Sequence, residues 1–415
     1  MIKTLMLFLH RKNTKVIPIF TRNILTIMNF LFFSPHFPQN STEFCFYLKE
    51  YGANVLGIGD ADYDSLNERL KYSLTEYYKV WNMEDYDQIV RAVGFFIHKY
   101  GKIDRFESLN EYWLELEAKI RTDFNIYGTK NDFIQNLKHK SKMKSFFEKS
   151  GVQTVKCHKY VDRKSALDFI KEVGYPVVVK PDSGSGANFT YKVKNEFELD
   201  TVFLNKHLQN AEFIIEEFVD GIILTYDGLV DIYGNVIFEN SHRFEQSIMN
   251  VVNNDDHLYY ICLPEVEEKV RVAGRNVLKA FDVREKFFHI EFFERKQDGE
   301  IVALEVNMRP PGAWMPDAIN YTHDTNIYKR WANMVLQYQA DEGSNGKYFT
   351  GYAARKNYKK YKFSHEEILN KIGEKILYCN SIEKIFSRAM GDFAYQFRAT
   401  SYEELKKIID YIQKE

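Results

Sequence analysis

Between Met28 and Gly128 the chain alternates short apolar runs with amphipathic segments that are long enough to form helices. The apolar runs have the length of β-strands, and the segments between them carry apolar residues at helical spacing. Strands that alternate with helices in this way predict a doubly wound α/β domain with a parallel sheet. The predicted strands are 30–33, 54–58 and 103–108, and the predicted helices are 42–51, 85–100 and 111–123.

Beyond residue 130 the pattern becomes rich in strands and hairpin turns. Tight turns are expected at 233–235 and 297–299, and such hairpins predict a mostly antiparallel sheet. A helix at 141–149 ends at Gly151, which suits a C-cap position. The further predictions are helices at 164–173 and 402–413 and strands at 156–161, 175–180, 213–218, 224–232, 236–239, 287–295, 301–307, 375–378 and 393–399.

These patterns predict five segments along the chain, at 1–27, 28–130, 131–211, 212–345 and 346–415. The first is expected to be an N-terminal extension that need not belong to the native protein, because the regular strand pattern starts only at Met28. The second is the α/β domain, the third and fourth are two lobes of one larger unit, and the last is a small α+β cap.

Charge balance and cysteine spacing exclude several classes of protein. Lys plus Arg number 56 and Asp plus Glu number 58, so a net charge of −2 gives no general attraction to nucleic acid or to an anionic membrane. No apolar run is long enough to span a bilayer. The cysteines lie far apart without CxxC spacing, which argues against a disulfide framework and a zinc knuckle and predicts a cytoplasmic protein. They are Cys45, Cys157, Cys262 and Cys379.

Lys180 ends a very apolar strand and precedes a loop of small residues. Successive backbone N–H groups of such a loop can meet phosphate oxygens while the lysine supplies a positive charge. A plain glycine turn has the same composition, so both interpretations stay open. The segment lacks the Gly-Lys-Ser/Thr ending of a Walker A loop. The loop residues are Ser183, Gly184, Ser185, Gly186, Ala187 and Asn188.

Two carboxylates and an amide form a second candidate site. Alternate residues of a strand share a face, so Glu305, Asn307 and Arg309 are expected to point one way. On a neighbouring strand Glu291 shares its face with His289. Oxygen ligands of this kind suit Mg²⁺ when phosphates complete its coordination. A solvated face with ordinary salt bridges is the alternative, but the strongly apolar flanks favour the metal site.

A third segment is the strand predicted at 213–218. Its end and the residue after it are Glu216, Glu217, Phe218 and Val219, which precede a turn. A carboxylate and backbone groups at a strand end can meet the amine and ring nitrogens of adenine, with an apolar wall beside them. An edge strand that ends in a turn has the same sequence, and on this segment alone that interpretation is preferred.

Taken in order, these segments resemble the ATP-grasp superfamily over about residues 28–345. The resemblance is to its carboxylate-amine ligase branch, which includes amino-acid ligases and is related to biotin carboxylase and D-alanine–D-alanine ligase. It implies a pre-ATP-grasp α/β domain followed by a two-lobed ATP-grasp fold with antiparallel sheets. Each motif is loose alone, but their order and spacing are specific. The motifs are Lys140 followed by Gly151, the segment 174–180, the segment 216–219, Glu291, and the segment 305–309.

The resemblance implies a role for each of these motifs. ATP would be held by two lysines, the small-residue loop closing as a lid, and the adenine segment. Two Mg²⁺ or Mn²⁺ ions would bridge the phosphates. The implied residues are Lys140, Lys180, Ser183, Gly184, Ser185, Gly186, Ala187, Glu216, Glu217, Phe218 and Val219 for ATP, Glu291, Glu305 and Asn307 for the metal, and Arg309, Lys180 and Asn307 for catalysis.

The chain departs from the superfamily pattern at two positions. Many relatives carry a glutamate for the ribose hydroxyls just after the glycine that follows the adenine segment, and Ile222 occupies that position here. Ribose binding is therefore expected to come from elsewhere or to be weaker. The aspartate that usually precedes the first lysine is His139, which is expected to matter little.

Four residues are candidates for binding the substrates, two after the metal motif and two before it. Trp314 lies in a segment that resembles the substrate border of amino-acid ligases, where it would line an apolar pocket, or else it anchors the core. Asp317 would pair with an ammonium group. His242 and Arg243 are expected after a strand, either as a carboxylate grip or as a surface pair. The basic run that starts at Arg355 is expected to be a solvated strand face rather than a nucleic-acid site.

The resemblance therefore implies an ATP-dependent ligase that joins a carboxylate to an amine through an acyl phosphate. Positioning and charge neutralisation would drive that chemistry without a side-chain nucleophile. Two alternatives stay open, a biotin-carboxylase-like enzyme that activates bicarbonate and a nucleotide-binding protein without catalysis. A homodimer is expected by analogy, with small-molecule substrates and no nucleic-acid or membrane partner.

Overall fold

In the computed structural model the strands form three sheets within the described residues, which are 27–184, 189–204, 212–246, 251, 255–337, 346–384 and 386–415. The first sheet holds β1 (Asn29–Phe33), β2 (Asn54–Gly59), β3 (Glu76–Lys79) and β4 (Arg105–Glu107). The small third sheet holds β6 (Cys157–Lys159), β7 (Val177–Pro181), β8 (Tyr191–Val193) and β9 (Phe213–Glu217). The large sheet holds β5 (Gln153–Thr154), β10 (Gly221–Val230), β11 (Val236–Phe244), β12 (Tyr259–Leu263), β13 (Lys286–Arg295), β14 (Ile301–Asn307), β15 (Phe349–Arg355), β16 (Ile376–Ser381) and β17 (Phe393–Ala399).

Helices flank these sheets. The α-helices are Ser41–Glu50, Glu68–Ser73, Tyr86–Tyr100, Leu114–Asp123, Gln135–Lys138, Lys140–Ser150, Arg163–Val173, Glu196–Leu204, Glu268–Ala280, Met315–His323, Ile327–Val335, His365–Ile372, Ser387–Met390 and Tyr402–Gln413. Short 3₁₀ turns lie at Tyr63–Ser65, Glu111–Trp113 and Gly373–Lys375. No helix in the described part of the chain is both long and apolar enough to cross a membrane.

The first sheet is parallel throughout, in the order β3-β2-β1-β4. β1 is completely buried, and its successive side chains enter different cores, because a parallel sheet is covered on both faces. Phe30 and Phe32 belong to a cluster that includes Trp331 of the later helix Ile327–Val335, whereas Leu31 and Phe33 pack with the helix Tyr86–Tyr100. The predicted α/β fold class is therefore confirmed.

The large sheet runs in the order β16-β17-β15-β12-β11-β10-β13-β14-β5 and is antiparallel except at the pair β14–β5. The small sheet is antiparallel, in the order β6-β9-β7-β8. β9 thus lies in the small sheet, just past the predicted boundary at residue 211, and the strands of the predicted cap continue the large sheet. The five predicted segments remain a prediction.

Two sequence expectations are wrong in detail. The strand predicted at 236–239 extends to Phe244, so His242 and Arg243 lie within it rather than after it. This strand pairs with a neighbour on each side, and its polar residues have side-chain partners there. The predicted strand was too short because polar residues were taken as its end. Arg355 and Lys356 of the basic run are buried, not solvated. Arg355 donates to the carbonyls of Ile412 and Phe363, and Lys356 pairs with Asp255.

Candidate functional site

Glu291 and Glu305 lie directly opposite each other on the paired strands β13 and β14, and His289 lies opposite Asn307. Opposed residues of an antiparallel pair share a face, with Cβ atoms about 4.5–5.5 Å apart. The predicted metal-ligating residues are thus brought together. The register shifts immediately after Glu291, so the backbone there is irregular.

This set of donors fits a hard divalent cation. Two carboxylates and an amide oxygen are ligands that Mg²⁺ and Mn²⁺ accept. Asn307 is buried, and its Nδ2 has no hydrogen-bond partner within the described residues. Glu291 and Glu305 are only partly buried, so a cation can reach them.

Glu216 lies between two lysines in the small sheet. Its Oε2 is 2.6 Å from Nζ of Lys180, and its Oε1 is 2.7 Å from Nζ of Lys144. All three side chains are buried. Burial alone would raise the pKa of Glu216, but the two ammonium groups lower it to about 2, so the carboxylate is ionised. The burial that would lower the pKa of Lys180 is likewise outweighed by Glu216.

Lys140 begins the helix Lys140–Ser150, and its side chain contacts both the predicted phosphate loop and a predicted metal ligand. Its Nζ donates to the carbonyl of Gly184 at 2.7 Å and lies 3.5 Å from Oε2 of Glu305. The helix start is capped by a residue just after β7, since Asp182 accepts from the backbone N–H and hydroxyl of Ser141 at 2.8 Å each. His139 contacts the same carboxylate at 3.0 Å.

The remaining predicted ATP residues lie beside these lysines or outside the described residues. Ser183 and Gly184 are exposed after β7, and Gly184 has a positive φ of 107°. Ser185, Gly186 and Ala187 are outside the described residues, as are residues 1–26 of the predicted extension.

The predicted adenine segment continues directly from β9. Glu217, at its end, accepts a hydrogen bond from the backbone of Lys156. Phe218 and Val219 are half-buried, and Lys192 lies over the Phe218 ring at 3.6 Å. Two half-buried apolar side chains thus follow Glu216 along the chain, and their contact with adenine stays a prediction.

Arg309 faces the carboxyl group of Glu111, which lies in the 3₁₀ turn Glu111–Trp113 after β4. Its Nε lies 3.6 Å from Oε2 of Glu111, and its Nη1 donates to the carbonyl of Pro310. Glu111 is buried, and Nζ of Lys138 lies 3.7 Å from its other oxygen. Burial raises the pKa of Glu111, and the nearby Arg309 and Lys138 oppose that rise. A buried carboxyl group that follows the parallel sheet thus lies beside Arg309.

Sequence patterns alone did not single out Lys144 or Glu111. Lys144 lies one helical turn after Lys140, and this i, i+4 spacing places both lysines on one face of the helix. Glu111 follows the carboxyl end of β4, where parallel sheets usually hold their ligands. Both features were visible in the sequence. Their partners, Glu216 and Arg309, lie on distant segments and could be identified only from the fold.

Behind the predicted metal ligands Glu291 and Glu305, Asp227 is a fully buried carboxylate shared by two histidines. His242 Nδ1 lies 2.7 Å from its Oδ2, and His289 Nδ1 lies 2.5 Å from its Oδ1. The second ring nitrogen of His289 lies 3.2 Å from Oε1 of Glu291. Burial would lower the pKa of His289, but the Asp227 and Glu291 carboxylates raise it to about 8.

The four candidate substrate residues occupy different environments. His242 is completely buried and bound to Asp227, while Arg243 forms ion pairs with Glu245, Glu267 and Glu294. Trp314 packs against the core, and its carbonyl accepts from Gln396 at 2.7 Å. Asp317 accepts from the Tyr328 hydroxyl at 2.8 Å, and burial raises its pKa to about 6.

Comparison with known proteins gives a family match in the middle of the chain. The family model described as "ATP-grasp domain" matches residues 173–317, which include β7, β9, β13 and β14. The chain is 25% identical to the phosphoribosylamine–glycine ligase of Fusobacterium nucleatum over 138 residues, which are 32% of this chain and 29% of the relative. The sequence match thus spans less than a third of that protein.

Solved structures match over far more of the chain. The L-amino acid ligase from Bacillus licheniformis has a TM-score of 0.68 at 16% identity, covering 92% of this chain and 96% of that one. The biotin carboxylase domain of 2-oxoglutarate carboxylase from Hydrogenobacter thermophilus, solved as a dimer with MgADP, ADP and bicarbonate, has a TM-score of 0.70 at 16% identity, covering 92% and 89%. These likenesses concern the fold, and with the domain match they confirm the predicted resemblance.

Proposed function

We propose that this chain, which carries an ATP-grasp domain, is an ATP-dependent ligase that joins a carboxylate to an amine through an acyl phosphate. The observation that carries the proposal is the position of Lys140. Its ammonium group contacts both the carbonyl of Gly184 in the phosphate loop and the carboxylate of Glu305 in the metal site. A phosphate chain held at this lysine would therefore reach the cation ligands.

In the proposed reaction the protein acts by positioning and by charge. Lys140 and Lys180 bind the ATP phosphates, Glu216 with the backbone of Phe218 and Val219 takes the adenine, and Ile222 leaves the ribose without a carboxylate there. Glu291, Glu305 and Asn307 would hold Mg²⁺ or Mn²⁺, which neutralises charge on the phosphates.

Arg309 is the group placed to stabilise the transferred phosphoryl. A carboxylate oxygen of the acid attacks the γ-phosphorus, ADP leaves, and the amine nitrogen then attacks the acyl carbon, releasing phosphate. The Pro310 carbonyl accepts a hydrogen bond from the guanidinium, and the Glu111 carboxyl group lies 3.6 Å from it on another side. Orienting a charged donor before the reaction avoids reorganisation at the moment when charge moves.

Amino-acid substrates are the preferred class for the proposed ligase. The names of the glycine ligase and the L-amino acid ligase support this choice. We propose that Trp314 and Asp317 border the amine substrate, since Asp317 is a partly buried carboxylate that an ammonium group would stabilise. His242 and Arg243 remain candidates for binding the carboxylate substrate. Both lie within β11.

A homodimer in a reducing cytoplasm is part of the proposal. The carboxylase domain that shares the fold is described as a dimer, and the four cysteines of this chain are free. Bicarbonate activation is the second candidate, because that same structure holds bicarbonate with MgADP.

The test is phosphate release from ATP and Mg²⁺ across a panel of amino acids, simple carboxylic acids and amines, with Glu305→Ala as the control. Release that requires both an acid and an amine, and that is lost in the control, supports the ligase. Release with bicarbonate alone that rises with free biotin supports the second candidate instead. ATP binding without any turnover would favour a binding protein.

A further inference from the structure

A row of buried polar side chains crosses the large sheet and ends at the proposed metal site. Asn307, His289, Asp227 and Asn240 lie opposite one another on β14, β13, β10 and β11. Directly opposed residues share a face, so the four side chains point to the same side of the sheet. Each is at most 5% exposed. Buried polar groups in a line like this require a specific set of partners.

Asp227 is the fixed point of this row. Its carboxylate accepts from the Thr225 hydroxyl at 2.6 Å and from the Asn240 amide at 3.3 Å, in addition to its two histidine contacts. The backbone N–H of His242 in turn donates to the Thr225 hydroxyl at 2.8 Å. A buried carboxylate with four partners on three strands has little freedom to rotate.

His289 links Asp227 to Glu291. Its ring lies between two carboxylates, with Nδ1 at Asp227 and Nε2 at Glu291. Because its other partners restrain Asp227, the contact at Nδ1 restrains the imidazole, and Nε2 faces one oxygen of Glu291. The other oxygen of that carboxylate is then left for a cation.

Glu291 needs such a support more than an ordinary strand residue does. The register of β13 against β14 shifts directly after it, and its side chain remains 25% exposed. An irregular backbone beside a partly exposed carboxylate leaves several rotamers open.

We propose that His289, oriented by Asp227, is a positioning residue that fixes the Glu291 carboxylate for its divalent cation. The inference rests on the proposed function, because that function assigns Glu291 to the cation. Groups that hold a ligating side chain commonly change metal affinity by roughly 10- to 100-fold when they are replaced.

The test is Mn²⁺ binding to the full chain with a non-hydrolysable ATP analogue, followed by electron paramagnetic resonance, so that turnover is not needed. The variants are Asp227→Asn, His289→Asn and His289→Gln. The amide nitrogen of asparagine reaches the position of Nδ1, whereas that of glutamine reaches the position of Nε2. Thr350→Val is the matched control. Thr350 lies on β15 of the same sheet, and the change removes the buried hydrogen bond that its hydroxyl accepts from Thr322 of the helix Met315–His323; neither residue is part of the row.

We expect Asp227→Asn and His289→Asn to weaken Mn²⁺ binding by roughly 10- to 100-fold, and His289→Gln to retain more affinity than His289→Asn. Thr350→Val should bind Mn²⁺ like the wild type. If the histidine variants do not fold, the isosteric Asp227→Asn decides the question. Wild-type affinity in Asp227→Asn or His289→Asn would overturn this inference alone, whereas a wild-type protein that binds no Mn²⁺ with the analogue would overturn the proposed function as well.

Discussion

The ammonium group of Lys180 lies 2.6 Å from the carboxylate of Glu216, and both side chains are more than nine-tenths buried. Lys144 pairs with the other oxygen of the same carboxylate. One carboxylate therefore faces two ammonium groups, and these three side chains together keep a net positive charge that a phosphate can neutralise. This charge balance explains how the fold tolerates buried lysines before a nucleotide binds.

Glu216→Gln should strongly destabilise the protein, because it leaves two buried ammonium groups without a carboxylate. Breaking a buried ion pair commonly costs about 3–5 kcal/mol. Urea unfolding at neutral pH measures the loss. Glu217→Gln is the matched control, since glutamine can still accept from the Lys156 backbone. Equal stability of the two variants would contradict the assignment.

Lys144→Met should weaken ATP binding by about tenfold, because Glu216 would then neutralise Lys180 alone and the cluster would lose its net positive charge. Isothermal titration with an ATP analogue measures the dissociation constant. Lys149→Met, at an exposed position of the same helix, should leave it unchanged. An unaltered affinity in Lys144→Met would show that only Lys140 and Lys180 matter.

Arg309→Ala should lower kcat by roughly 100- to 1,000-fold while leaving ATP affinity unchanged, because we assign the guanidinium to the charge that develops during phosphoryl transfer. Steady-state kinetics together with nucleotide titration separate the two effects. Arg295→Ala, at the end of β13 where the side chain pairs with Asp298, provides the control. A parallel loss of ATP affinity in Arg309→Ala would instead assign the arginine to nucleotide binding.

The raised pKa of Asp317 predicts that the free energy of unfolding depends on pH. Burial raises its pKa from 3.8 to about 6, partly opposed by the Tyr328 hydroxyl, so the folded state holds a proton that the unfolded state has lost between these values. The free energy of unfolding must therefore fall as pH rises from about 4 to 6. Asp317→Asn should stabilise the protein by about 3 kcal/mol at pH 7.

Thermal unfolding of wild type and Asp317→Asn at pH 4 and pH 7 measures this difference. The gain from the substitution should shrink towards pH 4, where the wild-type carboxyl is already protonated. A gain of the same size at both values would place its origin in packing rather than in charge. Asparagine keeps the acceptor for Tyr328, so that hydrogen bond is not lost.

Much of the fold follows from local sequence patterns. The alternation after Met28 predicted the parallel sheet, and the two-residue period of β13 and β14 predicted that Glu291 and Glu305 would share a face. These features depend on neighbours in sequence and on the period of a strand. The superfamily resemblance, which the comparisons confirm, ordered the motifs along the chain.

Long-range partners were not predictable from local patterns. His242 was expected after a strand, yet it lies inside the sheet, where Asp227 and Thr225 of β10 satisfy its ring and its backbone N–H. Arg355 looked solvated, but distant backbone carbonyls accept from it. In both cases the hydrogen-bond partner that satisfies the buried polar group is distant in sequence, so local patterns cannot identify it.

The central claim is tested most directly by isotope transfer. The acid substrate identified from the panel is labelled with ¹⁸O in its carboxylate and incubated with ATP, Mg²⁺ and the amine. An acyl phosphate passes one carboxylate oxygen to the released phosphate, so we predict phosphate that carries a single ¹⁸O together with ADP. Unlabelled phosphate, or label found in AMP, would contradict the account.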